Sequence, residues 1–400
     1  MDEPGNLMII TGVVRLSRPL NLPKIRQKLA DGFSSFDRFH WTAFDPSWAP
    51  PSWSPGEIDL DHHLVVAPPC TEEGLMELVG ALMSTPLDRS RPLWQVHLVD
   101  MAETSALIIR LHHALGDGVA MMHVFNSLAD TPSPTYNTAN QRPPSPFRKL
   151  RALFRAGFDL LTQVLLKPEP ATCLKGPMGL PKGAAVSRSL SLEAVKTVGR
   201  RMGCTVNDVL MACLTGGLRN YLSQRGSLPP ELKIRVVMPV DLRTSQDERL
   251  GNCFGLAFVS LPVGLADPRQ RLLDIHEHVE HLKRTPHAQI IYAILKFAGM
   301  LPRPLELQLV RFFGAHASAV ATNVPGPKEK VSIAGNTVQS LMFWVPRSGR
   351  LGLGVSIISY AGEVRVGIAA DTGLIPHPSQ IVDSFHTAFD ELEELARQSG

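Results

Sequence analysis

Ala106-Leu-Ile-Ile-Arg-Leu-His-His-Ala-Leu-Gly-Asp-Gly-Val-Ala120 is the stretch that decides how this chain folds. Its apolar run, Ala106–Leu111, predicts a strand. The strand delivers His112 and His113 to its C-terminal end. Side chains alternate across a strand, so the two imidazoles are expected to face opposite sides, one toward a cleft and one inward. Gly116, Asp117 and Gly118 then make a tight turn. Asp117 stands at the N-cap of a helix predicted from about Gly118 to Leu128.

A histidine so placed has chemistry available to it. An imidazole with an ordinary pKa near ~6.5 can take a proton from a hydroxyl as the oxygen attacks a thioester carbonyl. It can return that proton to the departing thiolate. No covalent enzyme intermediate is needed when both substrates share one site, because proximity supplies much of the acceleration. Asp117, four residues past His113, is placed to hold the turn by capping and by pairing with an arginine; Arg243, in Pro239-Val-Asp-Leu-Arg243, is the candidate. An isolated His-His pair reads more naturally as a satisfied core pair. The full H-H-x-x-x-D-G after an apolar strand shifts the balance toward catalysis.

The chain has 400 residues, long for one domain, and its 44% apolar and 19% charged residues suit sizeable cores rather than a disordered chain. A net charge of +3 gives no general pull toward nucleic acid. Cys70, Cys173, Cys204, Cys213 and Cys253 are scattered with no C-x-x-C pair, which predicts free thiols in a reducing compartment and no zinc site. Asp2 and Glu3 stand where a signal peptide carries basic residues, and no apolar stretch reaches the ~18 residues of a membrane span. A cytoplasmic protein is expected, with any membrane contact peripheral.

Strands are predicted at Leu7–Leu16, Leu93–Val99, Ala106–Leu111, Ile234–Pro239, Phe254–Leu261, Ala317–Asn323, Leu341–Pro346, Leu351–Tyr360 and Val364–Ala370. Helices are predicted at Pro23–Asp31, Thr71–Met83, Leu192–Met202, Val206–Gln224 and Ile381–Arg397. Trp41–Pro55, crowded with Trp and Pro, reads as an irregular packed loop. Thr131–Pro146 holds five prolines and reads as a linker, followed by a helix over Phe147–Lys167 and a loose segment to about Ala185. The organisation expected is an N-terminal domain over 1–130, a basic Pro-rich linker over 131–185 and a C-terminal domain over 186–400. Strands and helices mix without a clean βα alternation, which implies two layered α/β domains with mixed sheets.

H-H-x-x-x-D-G is the signature of the CoA-dependent acyltransferases, a superfamily that includes chloramphenicol acetyltransferase and the condensation domains of peptide synthetases. Pro86-Leu-Asp-Arg-Ser-Arg-Pro-Leu-Trp94, Thr205-Val-Asn-Asp-Val209 and Leu250-Gly-Asn-Cys-Phe-Gly255 narrow the likeness. So do Thr322-Asn-Val-Pro-Gly-Pro327, Ser359-Tyr-Ala-Gly-Glu363 and Asp371. In order, these resemble elements of the bacterial and plant wax ester synthase/diacylglycerol acyltransferase family, from about Leu7 to Leu395. The resemblance implies two chloramphenicol-acetyltransferase-like domains with an active-site tunnel between them. It puts the general base on His113, support on His112, a structural role on Asp117 and the motif turn on Gly118. It also implies acyl-CoA as donor, CoA as product, a long-chain alcohol or diacylglycerol as acceptor, and no metal or prosthetic group. The short lead-in and short linker depart from the family pattern and bear on the substrate entrance.

Asn252 reads equally as a donor to the oxyanion formed on the thioester carbon and as a turn asparagine after Gly251. Asn207 and Asp208 read as helix-capping residues. Pro86–Trp94 reads as a loop locked against the histidine-bearing strand, with Asp88 holding Arg89 or Arg91. His62 and His63 read as strand residues, and His276, His278 and His281 as a solvated helix face without metal-ligand spacing. The helix at Phe147–Lys167, with Arg148, Lys149, Arg151 and Arg155 beside an apolar face, suits either an anionic membrane or lipid-droplet surface, or packing across the two domains. Two rival functions stay open: a condensation-type enzyme using a carrier-protein-bound acyl group, and a non-catalytic lipid-binding protein on the same fold.

Overall fold

The computed structural model describes residues 5–44, 51–133, 169–243, 250–299, 308, 314–347 and 350–398. Residues 134–168 of the predicted linker, including all of the basic helix at 147–167, lie outside the described residues. The first half carries β1 (Ile9–Leu16), α1 (Leu22–Ser34), β2 (Trp41–Phe44), β3 (Ser52–Pro55), α2 (Leu60–His63), β4 (Leu64–Ala67), α3 (Glu72–Met83), β5 (Trp94–Met101), β6 (Thr104–His112) and α4 (Gly118–Leu128). The second half begins with β7 (Lys182–Val186), β8 (Leu190–Ser191), α5 (Leu192–Met202), α6 (Val206–Gln224), β9 (Ile234–Asp241) and β10 (Phe254–Leu261). It continues with α7 (Pro268–Lys283), α8 (His287–Ala298), β11 (Ala319–Pro325), β12 (Ser332–Ile333), β13 (Asn336–Trp344), β14 (Leu353–Tyr360), β15 (Glu363–Asp371) and α9 (Ser379–Gln398).

The continuous apolar run of β6 is explained by its place. It lies inside a six-stranded sheet of order β12-β13-β1-β6-β5-β4, antiparallel to both β1 and β5. Ala106, Leu107 and Ile108 are fully buried, as a strand covered on both faces requires. α1 turns Ile25, Leu29 and Phe33 inward at helical spacing, and Phe33 stacks on Phe39 beside Trp94. The second sheet has seven strands, with β10-β9-β11-β14-β15-β7 in order and β8 paired to β15. β11 runs parallel to β9 and β14, so the sheet is mixed, as expected from the absence of βα alternation. α6, buried from Asp208 to Leu218, and α9 pack into the core of this half.

Sheet membership does not follow chain order. The expected C-terminal domain, 186–400, includes β12 and β13, yet these two strands complete the first sheet, with Thr11 opposite Trp344. β13 can do this because it is buried toward both halves. Met342, Phe343 and Trp344 sit in the first core, while the Trp344 indole N–H donates to the Ala185 carbonyl of β7 at 3.1 Å. The Trp41–Pro55 segment also differs from expectation. Its ends pair as a hairpin, β2 with β3, because the only proline within the paired residues is Pro55 at a strand end. β7 was hidden by its Lys-Gly composition and pairs at an edge, with β15.

Tyr360, from the S-Y-x-G element, fastens β14 of the second sheet to the β12–β13 region of the first. Its hydroxyl donates to the Val338 carbonyl at 3.0 Å and accepts from the Val331 N–H at 2.9 Å. Tyr360→Phe keeps the ring and strands both backbone groups, so it is expected to lower stability by about 1–3 kcal/mol. A denaturant titration followed by tryptophan fluorescence checks this; an unchanged midpoint would show that the two groups find other partners.

Candidate active site

β6 ends at His112, and His113 falls in the turn beyond it. Strand alternation therefore does not extend across the pair, and both residues line one cavity of about 460 Å³. The expectation that the two imidazoles face opposite sides assumed a strand through His113, and β6 ends at His112. The His113 N–H donates to the Met8 carbonyl at 2.8 Å, which ties the turn to the start of β1. The His112 ring Nδ1 accepts from the Ala114 N–H at 3.1 Å and stiffens the same turn.

Asp117 holds this turn from the other end. One carboxylate oxygen accepts from the Ala120 N–H at 3.0 Å and caps α4. The other accepts from Arg243 Nη2 at 2.8 Å and from the Cys253 N–H at 3.0 Å. Both side chains of the ion pair are 8% exposed. The pairing with Arg243 is thus present, and it joins the first half to the strand ends of β9 and β10. Arg243 also donates to the Gly251 carbonyl at 2.6 Å. Gly251 has φ of 150°, a conformation that glycine adopts without strain, and this lets the Leu250–Cys253 segment run close under the turn.

Asn252, on that segment, lines the cavity and donates from Nδ2 to the His113 carbonyl at 3.0 Å. Gly118 sits at the start of α4, against Val324 of the second half. The His113 ring lies against the Phe254 ring of the second half, with centroids 5.9 Å apart. Burial is the largest influence on this ring and holds its pKa below the usual 6.5, against the pull of Asp117 and Asn252. The remaining wall is mostly apolar, with Leu93 from the first half and Phe254, Leu256 and Phe258 from the second.

Some residues escaped the sequence. Arg38 donates to the Ala114 carbonyl at 3.1 Å and lies 5.7 Å over the Trp53 ring, so it gives the histidine turn a second arginine clamp. No motif marks it, since its partner is a backbone atom. Asp88 holds neither arginine; it accepts from Ser90, while Arg91 pairs with Asp59 at 2.8 Å and Arg89 lines the cavity. His62 and His63 lie on α2, not a strand, and the buried His63 ring stacks on Trp94 with Nδ1 2.7 Å from its carbonyl. Two histidines of the expected solvated face are tied down: His276 to Asp208 at 2.8 Å, and His278 to the Phe258 carbonyl at 3.2 Å. Asp208 also completes a capping box with Thr205. Asn207 accepts from Asn323 at 3.4 Å. Among the described residues no cluster of His, Cys, Asp and Glu suits a metal, and no helix is long and apolar enough to cross a membrane.

The wax ester synthase/diacylglycerol acyltransferase catalytic-domain model matches residues 5–169, and the WS/DGAT C-terminal-domain model matches residues 250–393. The chain belongs to this family. It is an acyltransferase on a two-domain, chloramphenicol-acetyltransferase-like fold. A Mycobacterium tuberculosis protein named a probable diacylglycerol O-acyltransferase is 28% identical over 383 residues, covering 87% of this chain and 82% of the relative. A second from that organism is 26% identical over 401 residues, covering 91% and 88%. Among solved structures, the wax ester synthase/diacylglycerol acyltransferase of Marinobacter aquaeolei matches with a TM-score of 0.71 at 23% identity, covering 99% of this chain and 96% of that one. A condensation domain of the calcium-dependent antibiotic synthetase matches with a TM-score of 0.63 at 16% identity, covering 98% and 92%.

In this family member, Arg243→Met leaves the Asp117 carboxylate buried without its cation, so a loss of about 3–5 kcal/mol is expected. Asp117→Asn combined with Arg243→Met removes the stranded charge and should recover part of that stability. Acyl transfer should stay low, because the turn has lost its tether to the second half. Melting curves and turnover of the single and double variants check this; full activity in the double variant would sink the positioning role.

Proposed function

We propose that the chain moves a fatty acyl group from acyl-CoA to the hydroxyl of a long-chain alcohol or diacylglycerol, with His113 as general base. The observation that carries this reading is the His113 ring, held neutral by burial at an apolar cavity, on a turn whose carbonyl the Asn252 carboxamide binds. The acceptor oxygen attacks the thioester carbon while the His113 ring takes its proton. The tetrahedral intermediate collapses with rupture of the carbon–sulfur bond, and the imidazolium returns the proton to the thiolate. The products are an ester and free CoA, and the reading uses no metal or prosthetic group.

Asn252 Nδ2 carries two N–H groups, and one is used on the His113 carbonyl. The second is the candidate donor to the oxyanion. His112 and Asp117 position the turn, Gly118 begins the helix that follows, and Arg38 and Arg243 brace it. The mostly apolar walls suit aliphatic chains, and a volume of about 460 Å³ lies within the range of small-molecule sites.

The test is CoA release from palmitoyl-CoA with hexadecanol or dioleoylglycerol as acceptor. Release that needs an acceptor and falls about 10²–10⁴-fold in His113→Ala is expected. Release only from a carrier-protein-bound acyl group would replace this reading with the condensation-type one, and tight acyl-CoA binding without turnover would favour a lipid-binding role.

The base must be unprotonated to act, and its folded pKa is depressed. kcat/KM should therefore rise with pH through an apparent value below 6.5 and stay level above it. An acid limb centred well above 6.5 would point to another base. Asn252→Ala should lower kcat about 10²–10³-fold with an unchanged melting temperature. A loss under about tenfold would leave Asn252 only its bond to the His113 carbonyl.

A further inference from the structure

Arg347 stands three residues beyond Trp344, lines the cavity that holds His113, and is 6% exposed. Its stem lies over Gly354 of β14, where a Cβ would come within 3.4 Å of Arg347 Cγ and 3.1 Å of the Val345 carbonyl. The strand thus leaves room for an arginine to be drawn in. Its Nη1 donates to the Gly352 carbonyl at 3.2 Å. A guanidinium has five N–H groups, and no carboxylate lies within ion-pair distance of this one among the described residues. The acid whose charge reaches it, Asp371, is already engaged: it accepts from Lys182 Nζ at 2.9 Å, from the Gly179 N–H at 2.8 Å and from the Gly373 N–H at 3.1 Å. Burial lowers the Arg347 pKa to about 10, so the group keeps its charge at neutral pH.

A buried cation with spare donors is costly unless something satisfies it. Arg347 also lines a second, small cavity that shares Met8, Val345 and Pro346 with the large one, so it stands where the two adjoin. An acyl chain or fatty-alcohol chain passing this point offers only methylenes and leaves the donors unpaired. The thioester carbonyl of the donor is the reacting one and belongs beside His113. Diacylglycerol carries ester carbonyls a few bonds from its free hydroxyl, close enough to reach a second polar group while the hydroxyl reacts.

We propose that Arg347 is an acceptor-specificity residue that hydrogen-bonds an ester carbonyl of the acceptor, so that the site favours a diacylglycerol over a plain fatty alcohol. This rests on the acyl-transfer reading of the cavity above.

The experiment uses the full chain, as wild type, Arg347→Met and Arg347→Gln, with palmitoyl-CoA as donor. The acceptors are 1,2-dioleoylglycerol, its dialkyl ether analogue, which lacks both carbonyls, and hexadecanol. Wild type should favour the ester over the ether in kcat/KM by about 10–100-fold, the scale of a hydrogen bond to a charged group. Arg347→Met should bring that ratio close to one, and Arg347→Gln should keep an intermediate ratio. Because the ratio is taken within one variant, partial unfolding cannot imitate the effect. A wild-type ratio near one, an equal loss on all three acceptors, or a raised KM for palmitoyl-CoA whatever the acceptor would each overturn the proposal. Wild type with no acceptor-dependent CoA release would instead overturn the acyl-transfer reading on which it rests.

Discussion

One carboxylate organises the centre of this molecule. Asp117 caps α4 with one oxygen and takes Arg243 and the Cys253 N–H with the other. The turn that carries His113 is thereby fixed at its downstream end to a segment of the opposite half. Desolvating such a pair is expensive, and net stability is not what it reliably supplies. Register is the better account. With Asp117 held, the Asn252 carboxamide is brought onto the His113 carbonyl, and Arg38 donates to the Ala114 carbonyl. A mobile imidazole would lose the alignment on which proton transfer depends, since small misplacements of reacting groups slow chemistry severely.

Much of this was legible in the residues. The apolar run of β6, the Asp117 cap and the helices over 192–202 and 206–224 follow from periodicity and turn chemistry; the helix bounds match, while β6 begins two residues before the expected Ala106 and ends one after Leu111. The partnership of Arg243 with Asp117 was also open to inference, because a buried acid at a turn needs a cation. What could not be read are contacts whose partners are backbone atoms or remote strands. Arg38 sits in an unremarked Phe-Asp-Arg-Phe stretch, and only the fold reveals that it meets a carbonyl far away in the chain. Likewise the two histidines diverged from strand logic because β6 stops one residue earlier than alternation assumed. His276 has the look of a surface histidine until the capping box that places Asp208 beneath it is seen.

The fold alone does not assign the substrate. A synthetase condensation domain shares this architecture at 16% identity, and such likeness speaks only to the arrangement of the chain. What individualises the site is local: a buried imidazole, a carboxamide on its backbone carbonyl, and walls of Phe254, Leu256 and Phe258. An apolar chamber with few polar groups makes each of those groups count for more, because in a low-dielectric interior a hydrogen bond made or missed has a larger energetic consequence.

The placement of β13 has a consequence for how the chain is made. β1 emerges early in synthesis and can pair with β6 on one side, but the residues that cover its other edge run to Trp344. Until they arrive, that edge shows an open row of backbone groups, the kind of surface on which strands from other chains add. The two halves are therefore not separate folding units strung in order. They form a single topology of high contact order, closed by a late strand threaded back to the beginning, and such topologies assemble slowly.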